Sequence, residues 1–335
     1  MPVKVLILKP SSLGDIIHAL PVLRLIKLQR PDWEVHWWIS KPFAPVLEMD
    51  RDIKALHHFH RHDWGAPRGW TRGVMQMRRL RDERFDLVID LQGLARSAIF
   101  GWVAGGAFTV GLHQHRDGIA GFYDVAVERP GAEVHAVDWN RAVLPVLGLA
   151  EEGEFDWLPA RPWLQTKLVD QGYDPDYQWI VLCPGARWAS KRWPIESFAS
   201  LIDKLYSPNK RFAVIGGKED QRLAEKLADH PHCLDLTGRT TLPELIEWLR
   251  VSTVLVTNDT GPMHIAAALK KPVVALFGST HPGRTGPYQT SGRVLQTDNL
   301  DCVPCLARDC VREVERECLR QITPTAVAAA VAACE

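Results

Sequence analysis

The sequence predicts an α/β protein of two domains, each a parallel sheet with helices on both faces. Three observations carry this. The chain has 335 residues, about twice the roughly 150 residues around which one core usually closes. Short apolar runs of buried-strand type alternate with helical patterns, an order that requires parallel pairing and crossover helices. Around Pro159, Pro162 and Pro175 the periodicity lapses, and a second alternating series starts at Trp179. The reading places one domain at 1–160, a second at 161–322 and a terminal helix at 323–335.

Taken in order, Lys4 to Lys9 is the first strand and Pro10 to Asp15 a polar turn. Apolar residues at helical spacing from Ile16 to Gln29 predict a helix that Pro21 kinks or restarts. Val35 to Ile39 is the second strand, Pro42 to Met49 a short helix, and Ile53 to Phe59 a third strand before an arginine-rich segment. Phe85 to Leu91 is a strand that ends at Gln92-Gly93, followed by a helix from Arg96 to Val103. Thr109 and Val110 begin a short strand, and Leu112 to Gly121 is a polar loop. His135 to Leu147 predicts a helix stopped by Gly148, and a short helix fits Trp163 to Gln171.

In the second half, strands are expected at Trp179 to Cys183, Arg211 to Ile215, Cys233 to Leu236, Val254 to Thr257 and Pro272 to Phe277. Helices are expected at Pro194 to Tyr206, Asp220 to Asp229, Leu242 to Arg250 and after Gly261. Thr323 and Pro324 supply the N-cap and first-turn proline of an alanine-rich terminal helix.

Lys and Arg number 40, as do Asp and Glu, so no overall charge points to nucleic acid. The opening apolar run ends at Lys9, short for a signal peptide, and no stretch reaches the about 20 apolar residues of a membrane span. A cytoplasmic protein is expected. Of seven cysteines, four crowd into Cys302, Cys305, Cys310 and Cys318, which counts against a secreted disulfide framework. The first pair has zinc-ribbon spacing and the second does not, so a structural zinc and free thiols both stand as readings.

The chemistry starts at Val254 to Leu269, where an apolar strand breaks at Asn258-Asp259-Thr260-Gly261-Pro262 and a helix of small residues follows. Such a junction presents unpaired N–H groups and the positive end of a helix dipole, which suits a phosphate. An ordinary turn capped by Asp259 or Thr260 is the plain alternative. Other strand ends carry matching loops. Gly185, Arg187 and Lys191 lie in one, with lysine suited to phosphate as a point charge. Gly217, Glu219 and Asp220 lie in the next, glycine admitting close approach and the carboxylates answering ribose hydroxyls. Phe277 to Thr280 closes the series. With Asp259, Thr260, Gly261 and His264 these loops predict a diphosphate pocket. No G-x-G-x-x-G follows the first strand and no G-x-x-x-x-G-K-[ST] occurs, which counts against dehydrogenase and P-loop readings.

In the first domain Asp15 follows Gly14 at a helix N-terminus. As a carboxylate it can take a proton from an attacking hydroxyl, which is general-base catalysis; a helix-capping aspartate is the alternative. Ser12, Gly14, Gln92, Gly93 and Arg116 are candidate acceptor contacts. Arg61 to Arg84 holds seven arginines with Trp64 and Trp70 among them, which predicts an anionic, membrane-held acceptor or, alternatively, a solvated helical face.

The blocks KPSSLGDIIHALPVL, DLVIDLQGLARSA, PGARWASKRWP, VIGGKED, DLTGRTTLPEL and TNDTGPMHIAAALKKPVVALFGSTHPGRTGP occur in that order ahead of the cysteine cluster. Over essentially its whole length the chain resembles the bacterial lipopolysaccharide heptosyltransferase family. The resemblance implies a GT-B fold, two Rossmann-like domains with a cleft between them, and an inverting, metal-independent glycosyl transfer that needs no cofactor. It implies an ADP-heptose donor, an anionic lipid-linked saccharide acceptor in the lipopolysaccharide inner core, and peripheral contact with the inner membrane. By position, Asp15 matches the general base, Lys191 the diphosphate-binding lysine, and Asp259, Thr260, Gly261 and His264 the donor loop; the terminal helix crosses back to the first domain. One departure is the stretch Ala186 to Ser190, which lacks the paired threonines of some members and holds a bulky Trp188, leaving donor identity open. A sugar-nucleotide epimerase and a non-catalytic nucleotide-sugar binder are the alternative functions.

Overall fold

A computed structural model describes residues 2–59, 67–113 and 118–335, the side chains of 67–72 excepted. Arg116 and the start of the arginine-rich segment lie outside the described residues. The chain divides into two units, Met1–Pro159 and Ala160–Glu335, so residues 323–335 are part of the second.

The first unit runs β1 (Lys4–Leu8), α1 (Leu13–Gln29), β2 (Glu34–Ser40), β3 (Ala55–Phe59), α2 (Pro67–Asp82), β4 (Leu87–Asp90), α3 (Ala95–Ala104), β5 (Phe108–His113), β6 (Val125–Glu128) and α4 (Ala136–Arg141). Its six strands are all parallel in the order β3-β2-β1-β4-β5-β6. The central strands are apolar on both sides because helices cover both faces, and β1 and β4 are almost wholly buried. Leu6, Leu8, Trp38, Phe59, Leu80, Phe85, Val88 and Phe100 form the core under α2 and α3. The strand order reverses between β1 and β4, and there the carboxyl ends of an open parallel sheet leave a crevice.

Three local expectations change. α1 passes through Pro21 unbroken: every residue from Ile16 to Ile26 is buried, and that burial outweighs the roughly 3 kcal/mol that an interior proline costs. α4 stops at Arg141, and Pro145–Leu147 form a 3-10 turn ending at Gly148 with φ of 68°, since Pro145 has no N–H to continue a helix. Pro42 and Pro45 likewise make Lys41–Val46 a 3-10 segment.

The second unit runs α5 (Gln165–Asp170), β7 (Gln178–Cys183), α6 (Ile195–Leu205), β8 (Lys210–Val214), α7 (Gln221–Ala228), β9 (Cys233–Asp235), α8 (Leu242–Val251), β10 (Val254–Asn258), α9 (Gly261–Ala268), β11 (Val273–Phe277), α10 (Pro282–Thr285), β12 (Arg293–Gln296), α11 (Glu317–Arg320) and α12 (Pro324–Ala332). The order β12-β11-β10-β7-β8-β9 is again parallel throughout and, read from the other edge, repeats the first unit. Its reversal lies between β7 and β10. Thr323 caps α12 by accepting from the Ala326 N–H at 3.2 Å, and the helix packs on α6, placing Val327 and Val331 in the core with Phe198 and Phe212. No helix among the described residues is long and apolar enough to cross a membrane.

Candidate active site

β7 and β10 are neighbours at the reversal of the second sheet, so the loops leaving their carboxyl ends start side by side. Fully buried Asn258 joins those loops. Its Oδ1 accepts from the Trp193 N–H at 3.0 Å and its Nδ2 donates to the Pro184 carbonyl at 2.8 Å. Held this way, the loops bring Lys191 Nζ within 2.5 Å of Asp259 Oδ2. The same oxygen accepts from Thr280 Oγ1 at 2.7 Å. The lysine is 18% exposed and the aspartate 7%, so salt screens the pair far less than a surface one.

Asp259 therefore points its carboxylate at Lys191 and Thr280, and Thr260, the N-cap residue of α9, makes no side-chain cap bond. The capped turn is not the geometry present. Gly261 opens the helix without a Cβ, and His264 sits buried in the first turn, so the positive end of the α9 dipole lies beside the Lys191–Asp259 pair. Trp188 is a platform for cations: the Lys191 ammonium is 4.7 Å and the Arg308 guanidinium 5.7 Å from its ring centre. Arg187 is exposed.

Arg308 was not foreseen. It comes from the cysteine-rich segment, which folds onto the β7–α6 loop: Ser190 Oγ donates to the Ala307 carbonyl at 2.7 Å, and the Ser190 N–H to that of Arg308 at 3.3 Å. A contact between positions so distant in sequence leaves no local signal.

The third loop is tied in by Asp220, whose carboxylate is packed against Gly185 and Gly216 and bonded to its own loop. A Cβ at Gly185 would lie 2.4 Å from the Asp220 carboxylate and one at Gly216 2.8 Å from it, so glycine there makes room for this side chain. The carboxylate accepts from the Gly217 N–H at 3.0 Å. Burial pushes its pKa up, and that hydrogen bond pulls it back. Glu219 is exposed and folds over Gly217, where a Cβ would meet its carboxylate at 2.4 Å.

In the first unit the reversal brings together the ends of β1 and β4. Asp15, half-buried in the first turn of α1, accepts through Oδ2 from the Ser12 N–H at 2.8 Å and Ser12 Oγ at 2.7 Å. This is the N-terminal half of a capping box, and among the described residues its Oδ1 has no hydrogen-bond partner. Gly14 is buried and Ser12 exposed. Fully buried Asp90 shapes the Gln92-Gly93 loop, accepting through Oδ1 from the N–H of Gln92 at 2.9 Å and of Gly93 at 3.1 Å. Its Oδ2 accepts from the Tyr123 hydroxyl at 2.7 Å. Gly111 allows this, since a Cβ there would strike the Tyr123 ring at 2.4 Å. Gly93 has φ of 62°, a conformation that favours glycine.

Buried Lys9 donates to the Leu91 carbonyl. Burial pushes Lys9 down, Asp90 up and the Tyr123 phenol up. Sequence reasoning passed over these three residues. The available signal was a Lys or an Asp closing an otherwise apolar central strand, in LILK and LVID.

None of the seven cysteines forms a disulfide. Cys310 Sγ accepts from the Arg316 N–H at 3.3 Å, and the Cys302 thiol lies 3.9 Å from the Arg312 guanidinium. Burial pushes Cys318 up, and the other three cysteines of the cluster act on it electrostatically in the same direction. Among the described residues the trio whose ligand atoms converge within 4.8 Å is His36, His57 and Glu83. His36 Nδ1 and His57 Nε2 share a 3.0 Å hydrogen bond and Glu83 pairs with Lys4 at 3.3 Å, while among the described residues the buried His36 Nε2 has no hydrogen-bond partner. Burial lowers both imidazoles, His57 to about 4.

Known proteins share this architecture. The family description "Glycosyltransferase family 9 (heptosyltransferase)" matches residues 75–314. Lipopolysaccharide heptosyltransferase 1 of Pseudomonas aeruginosa is 29% identical over 322 residues, covering 91% of this chain and 86% of that protein. The family 9 glycosyl transferase of Veillonella parvula superposes with a TM-score of 0.82 at 22% identity, over 99% of this chain and 96% of that one. The E. coli heptosyltransferase WaaC with ADP-2-deoxy-2-fluoro heptose gives 0.77 at 22% identity, over 97% of each chain. The fold is GT-B, built from two Rossmann-like units, and the chain belongs to glycosyltransferase family 9, the heptosyltransferases.

Proposed function

We propose that the protein transfers heptose from ADP-heptose to an acceptor sugar of the lipopolysaccharide inner core, with inversion and without a metal. The acceptor oxygen attacks the anomeric carbon, Asp15 takes the proton from that hydroxyl, and ADP leaves with the bonding electron pair. Lys191 and the α9 N-terminus hold the diphosphate and meet the charge that grows on it. Gly185, Arg187, Gly217, Glu219, Asp259, Thr260, Gly261 and His264 surround the donor, and Ser12, Gly14, Gln92, Gly93 and Arg116 contact the acceptor. The relatives are named as heptosyltransferases, and one was solved with an ADP-heptose analogue.

One observation carries the reading: an ammonium held by a carboxylate at 2.5 Å beside a helix N-terminus that lacks a side-chain cap. A diphosphate brings more charge and more acceptor oxygens than that carboxylate and can replace it as the partner of Lys191. The test is nucleotide selectivity. A ligand at about 100 times its Kd stabilises the native state by about 2.7 kcal/mol, so ADP is expected to raise the melting temperature more than GDP, UDP or dTDP. A larger shift with any of the others contradicts the donor assignment. Acceptor-dependent release of ADP then marks a transferase, whereas an epimerised sugar formed from donor alone marks the epimerase alternative.

The proposed workplace is the cytoplasmic face of the inner membrane. α2 and α3 pack together and expose Val74, Met75, Leu94, Ile99 and Trp102, the last at 65%. The same two helices carry exposed Arg78, Arg79, Arg81 and Arg96. Exposed apolar residues and arginines on one pair of helices suit an anionic bilayer surface. The protein is expected to sediment with vesicles containing anionic lipid, and Ile99→Ser with Trp102→Ser to release at least about half of it, given the apolar burial lost. Wild-type protein that stays in the supernatant contradicts membrane contact.

A further inference from the structure

We propose that Arg308 is a donor-binding residue: its guanidinium, held over Trp188 beside Lys191 and without a carboxylate partner, supplies the second cation that the donor diphosphate meets. The proposal rests on the reading of the β7 and β10 loop ends as the donor site.

The segment that carries Arg308 is far from the donor loops in sequence, yet it is fastened to them at two strand ends. The Leu306 N–H donates to the Ser279 carbonyl at 2.7 Å. Ser190 Oγ donates to the Ala307 carbonyl at 2.7 Å and lies 3.2 Å from Ser279 Oγ. Ser190 and Ser279 are both buried, where hydrogen bonds are stronger than in water. Next to Ser279 stands Thr280, which holds the Asp259 carboxylate. The loop that ends β11 therefore fixes both the partner of Lys191 and the backbone from which Arg308 projects. With its own carbonyl accepting from the Ser190 N–H at 3.3 Å, Arg308 places its guanidinium 5.7 Å from the Trp188 ring centre, and the Lys191 ammonium lies 4.7 Å from the same centre. A guanidinium over an indole keeps its in-plane N–H groups for oxygen anions.

The charges explain what this cation adds. Lys191 and Asp259, 2.5 Å apart, offset each other. Arg192, on the β7–α6 loop, gives its Nε–H to the Ala186 carbonyl at 2.8 Å. Among the described residues the Arg308 guanidinium has no hydrogen bond or ion pair. Beside the α9 dipole, equivalent to about half a charge, Arg308 is thus the uncompensated positive charge held against the Trp188 ring. A diphosphate carries more than one negative charge and has acceptor oxygens on both phosphoryl groups, so it can engage Lys191 and a forked donor together.

Calorimetric titration of ADP and of adenosine into the intact chain, at low and at raised salt, tests this. Arg308→Gln is expected to weaken ADP about three- to tenfold, an exposed cation contributing less than a buried one, and to leave adenosine within about twofold. Arg308→Glu is expected to weaken ADP at least about threefold further, by repulsion. Raising the salt should cost Arg308→Gln less ADP affinity than it costs wild type. Both variants should melt within about 3 °C of wild type, because an exposed side chain is exchanged while the backbone bond to Ser190 remains. Unchanged ADP affinity overturns the proposal, as does equal affinity of the glutamine and glutamate variants. An equal loss for adenosine also overturns it, since that marks a disturbed pocket and not a missing phosphate contact. So does failure of both variants to fold, which would make Arg308 a requirement of the fold. If Lys191→Ala also binds ADP like wild type, the donor-site reading fails and this inference with it. If Lys191→Ala weakens ADP and the Arg308 variants do not, only the role of Arg308 fails.

Discussion

Asp15→Asn is expected to lower kcat by about 10² to 10⁴, the range for a lost general base, while donor affinity stays within a few-fold. The asparagine keeps the shape of the side chain, and its Oδ1 can still accept the Ser12 N–H that Asp15 accepts at 2.8 Å. The helix start should therefore survive: α1 is otherwise held by burial of every residue from Ile16 to Ile26. What disappears is the ability to take up a proton. Capping and catalysis are not rival roles here, because the cap uses one carboxylate oxygen and the proton needs only the other. Steady-state rates with saturating donor, together with a thermal melt, separate the two roles. Near-wild-type turnover would remove Asp15 from the mechanism, and a large loss of melting temperature would show that the cap was its main contribution.

Lys191→Ala should act on the donor. A hydrogen bond to a charged group contributes about 1.5–3 kcal/mol, so ADP is expected to bind roughly 10 to 150 times more weakly. The effect should lie towards the upper end for a second reason. The Asp259 carboxylate, 7% exposed, would keep Thr280 as a partner and lose its cation, leaving a negative charge to repel the incoming diphosphate. The Trp188 platform would retain only Arg308. Calorimetric titration of ADP into wild type and variant gives the ratio directly, and an unchanged Kd would remove Lys191 from the donor site.

The alternating pattern made most central elements legible, because strands buried on both faces must be apolar throughout. LVID and VLVTN announce themselves in that way. β6 and β12 were not visible: both are edge strands of four half-exposed or exposed residues, where one face is wet and the apolar pattern dissolves. The loops at the β7 and β10 ends were legible because glycine, lysine and a helix start fall next to each other in sequence. Arg308, Lys9 and Tyr123 were not, since each matters through a partner far along the chain. Trp188 read as a departure from the family pattern and is, in three dimensions, the surface against which Lys191 rests. The capped-turn alternative for Asp259 could be set aside only once its carboxylate was seen to reach Lys191 and Thr280.

The central claim is that a donor diphosphate seats where β7 and β10 end, on Lys191 and the N-terminus of α9. A crystal structure with ADP bound tests it most directly. The account predicts diphosphate oxygens about 3 Å from Lys191 Nζ and from the first-turn amides of α9, as charge-assisted hydrogen bonds require, with Asp259 displaced from the ammonium. ADP bound at another place, with the 2.5 Å Lys191–Asp259 contact intact, would contradict it.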